Sequence, residues 1–385
     1  MRVKIAHIVT QLDLGGAQHN TLHTAKSLDP GRFDVVLVCG SGGVLDSEIR
    51  ADSKLRTVFF DSLRRKISPF YDLLAFLELT KFLLEEKPLI VHTHSSKAGI
   101  LGRFAAALAG VPIIIHTYHG FGFHDRQRAL YRNLAIMLER MCSRLTHALV
   151  FVSRANISYA VLHGLVRAEN AVLIRSGVAL SDFPAKVDAR TLKATAGIGV
   201  HKLLVLSVGN LKPQKNAADF VAVAAKVLAS VPDVRFAFIG DGPQRQALEA
   251  RVFSLGLSGR VMFLGWRRDT AQWLAAADVY MMTSLWEGLP RALIEAMKSG
   301  LPSVCYATDG IVDVLRNGVN GYLIEPGDVA NMAERLILLL GDPSLRQRLG
   351  AAAAEIGPEF DIDGMVRSQE NLYERLLQAR GAPTP

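Results

Sequence analysis

Cysteine is scarce in this chain: three residues, Cys39, Cys142 and Cys305, are scattered over 385 positions. An odd, sparse set excludes a disulfide framework and fits a reducing compartment. Long apolar runs are also missing. No stretch approaches the roughly 18 uninterrupted apolar residues of a transmembrane helix. The single apolar stretch near the start, Ile5–Val9, is too short for the core of a signal peptide. No G-x-G-x-x-G follows the first apolar run, which argues against a dinucleotide site. The basic residues are not interleaved with aromatics, which disfavours nucleic-acid binding. There is no short internal repeat. The only low-complexity tract, Ala351–Ala354, fits a helix. The expectation is a soluble protein, or one held on a membrane surface.

Half of the residues are hydrophobic, enough for two sizeable cores at this length. Charge is uneven. Residues 1–185 carry 22 Lys+Arg against 15 Asp+Glu, whereas residues 186–385 carry 22 against 21. A basic first half suits an anionic partner such as phospholipid headgroups or a lipid-linked diphosphate.

Apolar runs of strand length alternate with longer amphipathic segments. Val3–Val9, Val35–Cys39, Leu89–His92, Ile113–Thr117 and Ala148–Val152 read as strands, with helices over 17–27, 71–85, 97–108 and 129–144. The pattern restarts near Leu203. Strands are expected at 203–208, 234–239, 261–264, 279–283, 303–305 and 321–324, and helices at 216–228, 244–255, 290–299 and 330–340. Continuous apolar character marks parallel strands covered on both faces. Alternation with helices marks βαβ units. The fold class is therefore α/β, with two doubly wound, Rossmann-like domains. The first spans 1–180, with a C-terminal helix at about 362–380 packing back on it. The second spans 181–361, after a linker over roughly 177–200. Ligands of such sheets bind at the carboxyl ends of the strands.

The densest signal is the stretch Ser284-Leu-Trp-Glu-Gly-Leu-Pro-Arg-Ala-Leu-Ile-Glu-Ala-Met-Lys-Ser-Gly-Leu-Pro302. Glu287 and Glu295 stand eight positions apart, flanking a helix start at Pro290. A carboxylate accepts from vicinal hydroxyls, and a helix N-terminus offers free N–H groups to a diphosphate. Capping or solvated glutamates would give the same letters. Two further segments follow strands: Val208-Gly-Asn-Leu-Lys-Pro-Gln-Lys215-Asn and Gly15-Gly16-Ala-Gln. A third, His116-Thr-Tyr-His119-Gly120, also ends a strand.

The string E-G-x-P-x-x-x-x-E-A-M-x-x-G-x-P resembles the E-x7-E element of family 4 retaining glycosyltransferases of the GT-B fold, and the similarity runs along nearly the whole chain. The resemblance implies two facing domains with an interdomain cleft. It implies that Glu287 holds the donor sugar, beside Gly288 and Leu289, and that Glu295 holds the nucleotide ribose. Lys215 matches a diphosphate-clamping lysine, but Asn210 stands where the family has arginine. Lys212 is a candidate substitute. Gly16 would lie over the diphosphate, and His119 near the reacting centre. Gly242, in Gly240-Asp-Gly-Pro243, and Trp266, in Phe263-Leu-Gly-Trp266, match donor-side loops, the latter against the base. His119, Lys215 and Glu287 are thus the expected catalytic residues.

The segment His92-Thr-His-Ser-Ser-Lys97-Ala-Gly-Ile-Leu-Gly-Arg103 is similar to enzymes that build bacterial surface polysaccharides on polyprenyl-diphosphate carriers. The expected activity is retaining hexosyl transfer from a UDP-sugar, ahead of a GDP-sugar, to a lipid-linked or oligosaccharide acceptor. No metal or other cofactor is expected. His92, His94, His116, His119 and His124 invite a metal, but they end separate strands without cysteine or carboxylate partners at recognisable spacing. Asp361-Ile-Asp363 spells D-x-D but follows the end of the sheet pattern. The expected place is the cytoplasm, peripheral on the inner face of the cytoplasmic membrane. Two segments suit that face: Arg64–Phe70 and Arg126–Arg144, both basic and apolar. A solvated helix face is the plain alternative. Two other functions remain open: a sugar-nucleotide epimerase of the same fold, and a nucleotide-sugar-binding protein without turnover.

Overall fold

A computed structural model describes residues 2–123 and 127–381. His124 and Arg126, both singled out above, lie outside the described residues. The chain divides into two compact units, Met1–Gly177 with Ile362–Pro385, and Val178–Asp361. The division falls at 177/178 rather than 180/181, because the Val178 N–H already donates to Phe360 O (2.8 Å).

The first unit runs β1 (Val3–Gln11), α1 (Gly16–Ser27), β2 (Phe33–Gly40), α2 (Asp46–Ala51), β3 (Arg56–Phe60), α3 (Pro69–Glu86), β4 (Ile90–His94), α4 (Ser96–Leu108), β5 (Ile113–Tyr118), α5 (Ala129–Ser143), β6 (Ala148–Phe151), α6 (Arg154–Leu162) and β7 (Ala171–Leu173). Its seven strands are ordered β3-β2-β1-β4-β5-β6-β7, and all pairs are parallel. The central strands are buried along almost their whole length, as continuous apolar runs require when helices cover both faces. Ala6, Ile8, Val38 and Val91 pack against α3 and α4 on one face. Val9, Leu37 and Cys39 pack with Leu22 of α1 on the other.

The second unit runs α7 (Ala189–Thr195), β8 (Leu204–Val208), α8 (Ala217–Ser230), β9 (Arg235–Ile239), α9 (Arg245–Ser254), β10 (Val261–Phe263), α10 (Thr270–Ala276), β11 (Val279–Met282), α11 (Arg291–Lys298), β12 (Ser303–Tyr306), β13 (Gly321–Ile324), α12 (Val329–Gly341) and α13 (Pro343–Ala354). The stretch expected as linker therefore contains a short helix, capped by Asp188, which accepts from the Arg190 and Thr191 N–H groups. Its sheet is ordered β10-β9-β8-β11-β12-β13 and is parallel throughout.

The last helix, α14 (Ile362–Ala379), belongs to the first unit. It lies against α1, where Gln369 Nε2 donates to Thr24 Oγ1 (3.2 Å). Glu370 takes the Asp29 N–H at 2.9 Å, and Arg32 pairs with Glu374. In each sheet the strand order reverses once, between β1 and β4 and between β8 and β11. Those reversals are where parallel sheets open a crevice at their carboxyl edge.

Candidate functional site

Two loops meet at the reversal in the second sheet. One leaves β8 and carries Gly209, Asn210, Lys212 and Lys215; the other leaves β11 and carries Thr283 to Leu289. They are stitched together. The Leu285 N–H donates to Gln214 O (2.9 Å), Gln214 Nε2 donates to Trp286 O (2.9 Å), and Thr283 Oγ1 donates to the carbonyls of Lys215 and Asn216 (3.0 Å each). The stitching turns Lys215 Nζ onto the carboxylate of Glu287, with only 16% and 8% of the two side chains exposed. Gly209 leaves the room for this. A methyl group there would meet Lys215 Cε at 3.1 Å.

Asp309 fixes the other side of Glu287 by accepting its backbone N–H (2.6 Å). Gly310 allows that approach, since a Cβ on it would fall 2.0 Å from Gly288 O. Leu289 is buried. Pro290 caps α11, so Glu295 lies one turn inside the helix, 3.5 Å from Arg291. Burial raises the Glu295 carboxyl pKa against the pull of Arg291. Burial also lowers the Arg291 guanidinium, whose buried Nε has no hydrogen-bond partner. Burial holds the Tyr280 hydroxyl of β11 well above the usual phenol range.

The β9 loop presses on the same place. Gly242 would strike Leu211 O at 2.7 Å if it bore a side chain, and Gly240, at φ +135°, would strike Gly209 O. Only glycine allows that contact at that backbone angle. The Asn210 side-chain oxygen is buried beside them without a partner. Trp266 follows β10 and is half exposed. Arg245 ties its strand to the β9 loop, reaching Phe263 O (3.1 Å) and Asp241 (2.7 Å). The fold thus joins Lys215 to Glu287 and packs Gly242 on the Asn210 loop. Gln214, Thr283, Arg291 and Asp309 were not singled out from the sequence. Asp309 carries no motif and reaches Glu287 only through the β12 loop.

In the first unit, Gly16 opens α1 and His119 follows β5. His119 belongs to a cluster of five histidines. Its Nε2 is 3.1 Å from His94 Nδ1, and His94 Nε2 is 3.0 Å from His7 Nδ1. His92 lies between Tyr373 Oη (2.6 Å) and Thr117 Oγ1 (2.7 Å), while His116 meets Thr93 Oγ1 (2.8 Å) on the opposite face. Burial lowers the pKa of all five, His7 to about 3 and His119 to about 4. His7, His92 and His94 offer nitrogens within 4.8 Å of one another, a span that could hold a metal ion. Both nitrogens of His92 are already committed, however, and only His7 Nε2 among these three residues is unpartnered. His7 escaped the sequence reading because a lone histidine in an apolar run does not reveal partners more than eighty residues away.

The description "Glycosyl transferases group 1" matches residues 188–356, and "Glycosyl transferase 4-like domain" matches residues 15–177. An Escherichia coli UDP-Gal:alpha-D-GlcNAc-diphosphoundecaprenol alpha-1,3-galactosyltransferase is 33% identical over 376 residues, 97% of either chain. A Campylobacter jejuni N,N'-diacetylbacillosaminyl-diphospho-undecaprenol alpha-1,3-N-acetylgalactosaminyltransferase is 23% identical over 334 residues, 85% of this chain and 88% of its own. Anabaena HepE, solved with UDP and glucose, matches with a TM-score of 0.84 at 21% identity, over 97% of this chain and 100% of that one, a likeness of fold. With both domain descriptions matched and a third of its residues shared with a relative of equal length, the chain belongs to the group 1 glycosyltransferases, built on the two-domain GT-B plan.

Proposed function

We propose that the protein is a retaining hexosyltransferase that moves a sugar from a UDP-sugar to a polyprenyl-diphosphate-linked acceptor in surface polysaccharide synthesis. One observation carries the reading: a largely buried lysine–carboxylate pair at the sheet reversal, near the start of α11. The lysine charge suits a diphosphate, the free carboxylate oxygen suits a sugar hydroxyl, and Glu295 suits a ribose. The activity named for the E. coli relative suggests the UDP-sugar and the lipid-linked acceptor. A GDP-sugar is the next donor to test.

In this reading the bond between the anomeric carbon and the diphosphate oxygen breaks while the acceptor oxygen bonds to the same face of that carbon. The acceptor proton passes to the departing phosphate oxygen, so no side chain need act as base. Lys215 and the N–H groups opening α11 oppose the charge that builds on the leaving group. Asn210 contributes hydrogen bonds where an arginine would add charge, and no metal is required.

Acceptor-dependent release of UDP, with the donor's anomeric configuration kept in the product and undiminished by EDTA, is the expected result. Inversion would end the retaining assignment, and loss of activity restored by Mg²⁺ would end the metal-free one. Interconversion of donor sugars without acceptor would make the protein an epimerase. Binding without release would make it a nucleotide-sugar-binding protein.

The first domain also suits an anionic membrane surface on the cytoplasmic side. On α5, Leu130, Leu134, Met137 and Met141 form an exposed stripe at helical spacing, opposite buried Ile136 and Cys142. On α3, Phe70, Leu73 and Leu77 are exposed, beside the basic segment Arg64–Lys66. Lys97 pins that segment by donating to Arg64 O (2.8 Å) and Lys66 O (2.6 Å). Both helices flank α4. Exposed apolar stripes beside basic residues fit interfacial attachment, as no helix among the described residues is long and apolar enough to cross a membrane. Cosedimentation with vesicles containing anionic lipid, and not with neutral vesicles, is expected.

A further inference from the structure

Two buried ring nitrogens in the first domain, His7 Nε2 and His119 Nδ1, lack hydrogen-bond partners. They are the two ends of the chain His7–His94–His119. Burial keeps the three rings neutral, so each carries one N–H. Each of the two contacts uses one hydrogen, and the third must sit at one end. Only two arrangements satisfy both contacts. Either His119 donates to His94 and His94 to His7, leaving an N–H on His7 Nε2, or every bond runs the other way and His119 Nδ1 carries it.

The surroundings choose between them. His7 lies in the middle of β1, fully buried, its ring nearly coplanar with that of His94 (12° apart) and with His92 and Tyr373 around it. An N–H at either end is buried without a partner, but the middle of β1 is out of a ligand's reach. His119 lies past the end of β5, at the carboxyl edge where ligands of parallel sheets arrive.

We propose that His7 and His94 are positioning residues that lock His119 as its Nδ1–H tautomer, so that it offers a donor rather than an acceptor to a ligand oxygen at that edge. The identity of that oxygen, on a sugar or a phosphate, rests on the glycosyl-transfer reading; the tautomer does not.

Long-range ¹H–¹⁵N correlation of the full chain labelled at histidine, at neutral pH, tests the lock. The His119 signals are assigned by their loss in His119→Gln. A protonated Nδ1 and an unprotonated Nε2 on His119 are expected, unchanged by added Zn²⁺. The opposite tautomer, or a joint shift of the His7 and His94 signals with Zn²⁺, overturns the proposal. In His94→Phe the Nδ1–H population should fall and kcat drop about tenfold, the scale of one hydrogen bond, with donor KM within threefold. An unchanged His119 spectrum in that variant also overturns it. If His94→Phe does not fold, the wild-type spectrum still decides. The expected tautomer together with full transfer by His119→Gln would instead remove His119 from the reaction and leave the lock standing.

Discussion

The carboxyl edges of the two sheets are furnished in opposite ways. The second domain keeps charge there: Lys215 on Glu287, and Arg291 beside Glu295. The first domain keeps neutral rings there, and its buried charge lies elsewhere. Arg103 of α4 donates to Glu139 of α5 at 2.5 Å, with Tyr118 Oη on the same oxygen at 2.7 Å and neither charged side chain more than 3% exposed. A paired charge at a crevice can be lent to an anionic ligand. A neutral imidazole can give or take a hydrogen bond without the cost of burying charge. The same doubly wound plan thus carries two kinds of edge.

Acid separates the two halves most sharply. The five clustered histidines titrate near 6.5 when unfolded but lower when folded, so they favour the fold fully above that pH. Stability should fall as pH drops below about 6.5, by up to about 1.4 kcal/mol per pH unit for each ring that stays neutral. Denaturant midpoints between pH 6.5 and 4.5, above the range of ordinary carboxylates, would show it. A flat profile there would mean the rings are protonated in the native state. Next in size is Arg103→Met, which strands Glu139 and should cost about 3–5 kcal/mol of stability. Its donor KM should stay near that of the parent, so a large rise in KM would contradict a purely structural pair. Lys215→Ala should act on turnover, lowering it about 10²–10³-fold, roughly 3–4 kcal/mol. A loss below threefold would remove Lys215 from the diphosphate.

The interior of both sheets was legible because strands covered on two faces must be apolar throughout. The two strands that the pattern missed, β3 and β7, are the edges of the first sheet, and their residues are only partly buried. An edge strand has one neighbour and needs no continuous apolar run. The short helices α2, α6, α7 and α10 were missed because fewer than three turns give little periodicity to read. The motifs drew attention to Lys215 and Glu287, which the fold pairs. Asp309 and Thr283, which hold Glu287 and the Lys215 backbone, were not legible. Their roles arise from pairings 22 and 68 positions apart that only the folded loops create.

The final helix has a consequence for how the protein is made. His92 gets its Tyr373 partner, and Thr24 its Gln369 partner, only when α14 arrives. The ribosome must first finish the whole of Val178–Asp361. At about 5–20 residues per second, the first domain waits on the order of ten to forty seconds with one wall open. During that interval its half-built interior is exposed to chaperones and proteases, whereas the later-born second domain can close without delay.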